Sequence, residues 1–297
     1  MGQKHYRIGG HLMEVQGDEL CAAVEALQGF APFAVEVDGE EPQLSFAVAD
    51  RVEAFTKVIY ELEHEGVVTR FGHTAEGLRL SMQPTDDAAL DLLYRPADRV
   101  TYLTGNLAAR LLRFALWIGY GLMTLPHRTV AIHSSCIVYD GQAVLFLGES
   151  GTGKSTHTRL WREHIEGAML LNDDSPVIRF EEGCVYAYGS PWSGKTPCYR
   201  AERYELKACV RLSQAPYNRL SKLPLLQAYG AIHPSCPPEF AYDESLYDPL
   251  SQTIGDILQR VPCYHMACLP DGEAARMTWK AVFGGKSEKG RVKKEEL

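Results

Sequence analysis

The sequence predicts an α/β chain of mixed α+β type in two parts. A smaller, β-rich first domain precedes a second domain built on a mixed, largely antiparallel sheet with helices packed around it. Three observations carry this. The apolar run Ala143 to Leu147 feeds a glycine-rich loop, "GESGTGKST", and a helical stretch follows the loop. The turn "YDGQ" joins that run to the one before it, and a two-residue turn joins antiparallel strands only. Short strand-like runs recur through the first hundred residues.

The bulk numbers bound the class. The chain has 297 residues, long enough for one or two domains. Apolar residues make up 45% and charged residues 23%, values of an ordinary soluble protein. The formal net charge of −8 implies no basic face, which sets the chain against nucleic acid as a partner. Eight cysteines are scattered without a CxxC pair, as expected of a protein in a reducing, cytoplasmic setting. Cys263 and Cys268 bracket His265, and alternation on a buried strand accounts for them better than a metal site. The start, "MGQKHYRIGGHLMEV", has no apolar stretch of the kind a signal peptide needs. The most apolar stretch, Leu111 to Leu125, falls short of the roughly 20 residues of a membrane span, so a buried helix and no membrane are expected.

Along the chain, "RIGGHLMEVQ", "PQLSFAVA", "GLRLSMQ" and "ALDLLYR" read as strands. "VEAFTKVIYELEHEG" reads either as a helix or as two strands around a turn. No catalytic cluster is visible there, and residues 1–104 form the expected first domain. A helix over Asn106 to Leu125, capped by Asn106, opens the second domain, 105–283. Strands over Val130 to Val138 and Ala143 to Leu147 follow, then a helix from about Lys154 to His164. The charged, glycine-containing end, 284–297, reads as a disordered tail.

The loop matches G-x-x-x-x-G-K-[ST] in full, and it has a strand before it and a helix after it. Its residues Gly148, Glu149, Ser150, Gly151, Thr152, Gly153, Lys154, Ser155 and Thr156 are the expected nucleotide contacts. Glycines let backbone N–H groups converge on phosphate oxygens, and the helix N-terminus adds partial positive charge. Lys154 supplies a point charge to the β- and γ-phosphates, and Ser155 a hydroxyl to Mg²⁺.

"LLNDDSPVI" places Asp173 and Asp174 at a strand end. One carboxylate can hold Mg²⁺ while the other accepts a proton from an attacking hydroxyl. Adjacent strand side chains face opposite ways, so the two need not share a role. His133 is expected on the strand before the hairpin, whose end can reach the phosphates. "YGSPWSGKTPCYRAER" holds a second Gly-Lys beside Trp192. Ser193, Lys195 and Arg200 are the candidate substrate contacts there, on a loop able to close over a transferred phosphoryl group. Arg203 is a further basic residue of that segment.

From about Thr129 to Asp271 the chain resembles the C-terminal domain of HPr kinase/phosphorylase and its relatives in the phosphoenolpyruvate carboxykinase superfamily. Three features carry the resemblance: "GESGTGKST", His133 placed 21 positions before Lys154, and the "NDDSPV" segment. The resemblance implies a P-loop domain of that superfamily's fold, ATP and Mg²⁺ as cofactors, Asp174 as proton acceptor and Asp173 near the metal. It makes His133 and Lys154 catalytic partners. The HPr kinases carry a Glu-x-Arg-Gly signature where this chain reads "YGSPWSGK", a form similar to the HPr kinase-related proteins. Some relatives phosphorylate serine, free or in a peptide. The expected activity is therefore transfer of the γ-phosphoryl group of ATP to a hydroxyl on a protein, peptide or small molecule. The absent Glu keeps a second expectation open, an ATP-binding regulatory or sensor protein with little transferase activity. A homo-oligomer is also left open.

Overall fold

A computed structural model describes residues 2–194 and 196–284. The chain divides into two compact units, one of 2–129 with Pro238–Leu250, the other of Val130–Pro237 with 251–284. The division falls at Thr129/Val130, later than the 104/105 boundary expected from sequence. The tail expected over 284–297 lies, but for Gly284, outside the described residues.

The first unit holds a mixed sheet. Its strands are β1 (Gln3–Ile8), β2 (His11–Gln16), β3 (Leu44–Val48), β4 (Lys57–His64), β5 (Val67–His73), β6 (Leu78–Pro84), β7 (Leu90–Arg95) and β8 (Val100–Gly105). Their order is β1-β2-β3-β8-β7-β6-β5-β4. β2–β3 and β3–β8 are parallel, and the other neighbours antiparallel. The segment open between helix and strands, 52–66, holds one strand, β4, and the turn at Glu65 and Gly66 that leads into β5. Helix α1 (Asp18–Glu25) follows β2.

Helix α2 (Ala109–Thr124) covers the first sheet. Eleven of its residues are buried, as the apolar run predicts for a core helix. Its approach is close: a Cβ on Gly119 would stand 2.6 Å from the Phe46 ring. Asn106 is not the cap. Ala108 holds that position without a side-chain bond, two residues later than expected, while Asn106 Oδ1 accepts from the Ala108 N–H at 2.9 Å. No helix among the described residues is long and apolar enough to cross a membrane.

The second unit is a mixed sheet. Its strands are β9 (Thr129–Ala131), β10 (Ser134–Tyr139), β11 (Gln142–Leu147), β12 (Met169–Asp174), β13 (Val177–Glu181), β14 (Cys184–Tyr188), β15 (Arg203–Gln214), β16 (Arg219–Lys222) and β17 (Cys263–Cys268). The main path runs β12-β10-β11-β15-β14-β13-β9, with β17 beside β15 and β16 beside β17. β11–β15 and β15–β17 are parallel, while β10–β11, β10–β12, β13–β14, β14–β15 and β16–β17 are antiparallel. Asp140 and Gly141 turn the β10–β11 hairpin with φ of 49° and 70°, as a two-residue turn requires.

Helices α3 (Lys154–His164) and α6 (Gly272–Phe283) pack together on this sheet. Phe146, Trp161, Ile165, Val210, Met266 and Phe283 lie in the shared core. Trp161 Nε1 donates to Thr278 Oγ1 at 2.9 Å, so the buried indole keeps a partner. Helices α4 (Leu225–Ile232) and α5 (Glu244–Leu258) complete the chain. β17 forms where the cysteine-bracketed strand is expected, though only Cys263 and Met266 on it are buried.

The expected strand over Val130 to Val138 is broken. β9 ends at Ala131 and β10 begins at Ser134, so His133 lies in the break rather than on a strand. There the backbone turns to other partners: Ile132 N donates to Pro176 O at 3.1 Å and His133 N to Ser235 O at 2.6 Å. The break frees the His133 side chain from the alternation of a strand.

Candidate functional site

The glycine loop runs from the end of β11 into the first turn of α3. Gly153 caps the helix with φ of 102°, a left-handed conformation that favours glycine. At Gly148 a Cβ would stand 2.3 Å from Thr152 Oγ1, because the loop folds tightly on itself. Thr152 locks that fold, its hydroxyl donating to Glu149 O at 2.8 Å. Ser155 and Thr156 sit in the first turn of α3, with Ser155 exposed.

Lys154 begins α3, and its ammonium group has three neighbours. Nζ donates to Gly148 O at 2.7 Å and Glu149 O at 3.1 Å, and lies 3.0 Å from His133 Nε2. Burial pulls this lysine below its ordinary range and the Arg211 charge adds to that, while Asp174 and Asp173 oppose it. An ammonium has donors only, so His133 Nε2 accepts. Nδ1 then carries the ring proton and faces Asp174 Oδ1 at 3.3 Å. One line thus joins the glycine loop to the acidic strand end through a single imidazole.

β12 sets the two aspartates opposite β10, with Asp173 beside Ser135 and Asp174 beside Ser134. Their environments differ as strand alternation predicts. Asp173 is buried at 5% exposure; Oδ1 accepts from Ser135 Oγ at 2.6 Å, and Oδ2 is buried with no hydrogen-bond partner. Asp174 is half-buried, and its Oδ2 accepts from Ser175 Oγ at 3.1 Å. Ser135 Oγ also lies 3.2 Å from Thr158 Oγ1, whose hydroxyl donates to Ser155 O at 3.1 Å. The Asp173 carboxylate is thereby tied to the first turn of α3.

Asn172, fully buried, organises the rest. Its Oδ1 accepts from the N–H groups of Asp174 and Ser175, at 3.0 and 2.9 Å. Its Nδ2 donates to Ser190 O and Trp192 O, at 3.3 and 3.1 Å. This staples the "SPWSG" loop to the aspartate strand. Ser193 forms a backbone bridge with Asp174, and Gly194 N donates to Asp173 O at 3.0 Å. A Cβ on Gly194 would stand 2.8 Å from that carbonyl.

The candidate substrate residues are placed unevenly. Ser193 reaches the aspartates by its backbone, while its hydroxyl donates to Thr196 O at 2.9 Å. Arg200 is exposed and pairs with Glu202 at 3.5 Å. Arg203 pairs with Glu181 at 2.7 Å and lies over the Tyr186 ring. Lys195 lies outside the described residues.

Four residues of the site were not singled out from sequence. Ser135, Asn172 and Ser190 hold the aspartates and loop as just described. Arg211 stands on β15 opposite Leu147, the last residue before the glycine loop, and its Nη2 lies 3.5 Å from Glu149 Oε1. Asn172 had a local signal, since it precedes the aspartates directly. Arg211 had none, because its neighbour across a parallel pair is set by topology.

Mg²⁺ in a nucleotide site takes few protein ligands beside phosphate and water oxygens. The orphaned, buried Oδ2 of Asp173 and the exposed hydroxyl-bearing Ser155 fit that donor set. Among the described residues no group of three or more His, Cys, Asp or Glu forms a metal cage.

No family model matches the chain, and no curated protein matches it. Among solved structures, the Hpr(Ser) kinase/phosphatase from Coxiella burnetii is similar at 12% identity. That match covers 52% of this chain and 95% of the other, with a TM-score of 0.31.

Proposed function

We propose that the second unit is an ATP-dependent kinase that transfers the γ-phosphoryl group to a hydroxyl, that of serine in a protein or peptide or of a small molecule. The observation that supports this best is the line Lys154–His133–Asp174. It sets a phosphate-type lysine and a half-exposed carboxylate on one imidazole.

In this reading the glycine loop and the α3 N-terminus bind the triphosphate through backbone N–H groups. Lys154 exchanges its loop carbonyls for phosphate oxygens. Asp174 accepts the proton of the attacking hydroxyl. The hydroxyl oxygen bonds to the γ-phosphorus as the bond to the β–γ bridging oxygen breaks, and ADP leaves with those electrons. His133, with a proton on Nδ1, holds the Asp174 carboxylate toward the acceptor. Asp173 and Ser155 would hold Mg²⁺, which supplies charge neutralisation of the phosphates when bound. Ser193 and Gly194 border the place the acceptor must occupy, so they and Lys195 and Arg200 are proposed to select it.

Incubation with γ-labelled ATP and a cell extract tests this. Label is expected on one acceptor and absent with Asp174→Asn. Label that persists undiminished with Asp174→Asn would overturn Asp174 as the proton acceptor, and no labelled product while ATP binds would leave a nucleotide-binding regulator as the better description.

A further inference from the structure

A cavity of about 530 Å³ opens beside the glycine loop, on the side away from the aspartates' ladder partner β10. Gly151 to Gly153 and Thr156 form one wall. Leu160, Leu212, Ala215, Cys268, Leu269 and Pro270 form the other, from α3 and from the ends of β15 and β17. No Asp, Glu, Lys or Arg lines it. His157, also at its wall, is held neutral, since burial pulls it down to about 4. Gln214 ties the far wall to the loop, its Nε2 donating to Gly151 O at 3.0 Å.

We infer that this cavity is the seat of the nucleobase, and that Cys268 is a thiol the bound base covers. The inference rests on the phosphate-binding reading of the glycine loop. A triphosphate on that loop carries its nucleoside to one side or the other. On one side stand Lys154, His133 and the two aspartates, a polar cluster. On the other stands an uncharged, largely apolar hollow of a size that holds small-molecule ligands. A flat, uncharged heteroaromatic ring gains by leaving water against such walls, whereas a second phosphate or a carboxylate finds no cation there.

The test is protection of a cysteine. Cys268 and Cys184 are both half-buried; Cys268 lines the cavity and Cys184, on β14, does not, so Cys184 serves as the internal reference. The intact protein is alkylated with N-ethylmaleimide, and each cysteine's rate is read by peptide mass spectrometry. Mg·ATP at about ten times its Kd is expected to slow Cys268 about tenfold, since only the free fraction reacts. Cys184 keeps its rate. Magnesium tripolyphosphate, which occupies the loop without a base, is expected to leave Cys268 reactive. Ala215→Trp, which fills the hollow from its half-exposed rim, is expected to weaken ATP at least tenfold by calorimetry and tripolyphosphate less than twofold. If tripolyphosphate protects as well as ATP, or ATP binds without protecting Cys268, the base lies elsewhere while the phosphate-binding reading stands. If neither ligand binds, both fall together.

Discussion

Lys154 Nζ lies 3.0 Å from His133 Nε2, and this contact fixes the tautomer of the histidine. A lysine ammonium can only donate, so the imidazole must accept on Nε2 and present its proton on Nδ1 toward Asp174. The glycine loop and the aspartate strand are thereby coupled through one imidazole ring.

Lys154→Ala removes the point charge and leaves Gly148 O, Glu149 O and His133 Nε2 without it. ATP affinity is expected to fall about 10- to 100-fold, the range for one lost hydrogen bond to a charged group. Calorimetry measures this, with far-UV circular dichroism to confirm that the fold persists. Unchanged affinity would remove Lys154 from the phosphate site.

Asp174→Asn and Asp173→Asn should separate. The first is expected to spare ATP binding and slow transfer about 10²- to 10⁴-fold, the usual contribution of a positioned base. The second should raise the Mg²⁺ requirement, and added Mg²⁺ should restore part of the rate. Rates measured across a Mg²⁺ titration decide. Identical Mg²⁺ responses in the two variants would show that the division of labour is wrong.

Gly194→Ala places a Cβ 2.8 Å from Asp173 O, where Gly194 N now donates. The loop must shift off the strand, at a cost of about 1–3 kcal/mol if it is held in place. Transfer is expected to slow while ATP affinity stays within twofold. A variant with wild-type transfer and melting temperature would mean the loop does not need this register.

Glu239 and His157 predict opposite pH responses. Glu239 is buried with Oε2 unpartnered, and burial pushes it up to about 7. The folded state then holds a proton that the unfolded state releases from about 4.5, so this group's stabilisation is lost as pH rises from about 4.5 to 7. His157 sits at about 4 against 6.5 unfolded, so its contribution is lost as pH falls from about 6.5 to 4. Each spans up to ~3 kcal/mol. Denaturant melts of Glu239→Gln against wild type should show a stability difference that drifts in the variant's favour as pH rises through that window. A pH-independent difference would rule out the buried proton.

Much of the second unit was legible before its structure, because its signals are local. The Asp-Gly turn specified the β10–β11 hairpin, and the strand–loop–helix run specified α3 from its first residue. The aspartates fell at a strand end because an apolar run preceded turn formers. What stayed hidden depends on distant chain. The strand expected through His133 breaks because Pro176 and Ser235, far along the sequence, take its backbone donors. Arg211 reaches the loop only because β15 pairs with β11 in parallel. In the first unit, Phe55, Val58, Ile59 and Leu62 fall at helical spacing, so β4 could not be told from a helix until β5 supplied the partner.

β10 lies between β11 and β12, so the strand that ends in the glycine loop and the strand that ends in the aspartates are two ladder steps apart. At about 4.8 Å per step that is a span of roughly 10 Å, set by backbone hydrogen bonds and not by side chains. Such a ruler does not stretch when surface residues change. Under the proposed kinase reading, acceptors of quite different size would be exchanged by rebuilding the "SPWSG" loop alone, because the gap between the two strand ends is built into the sheet.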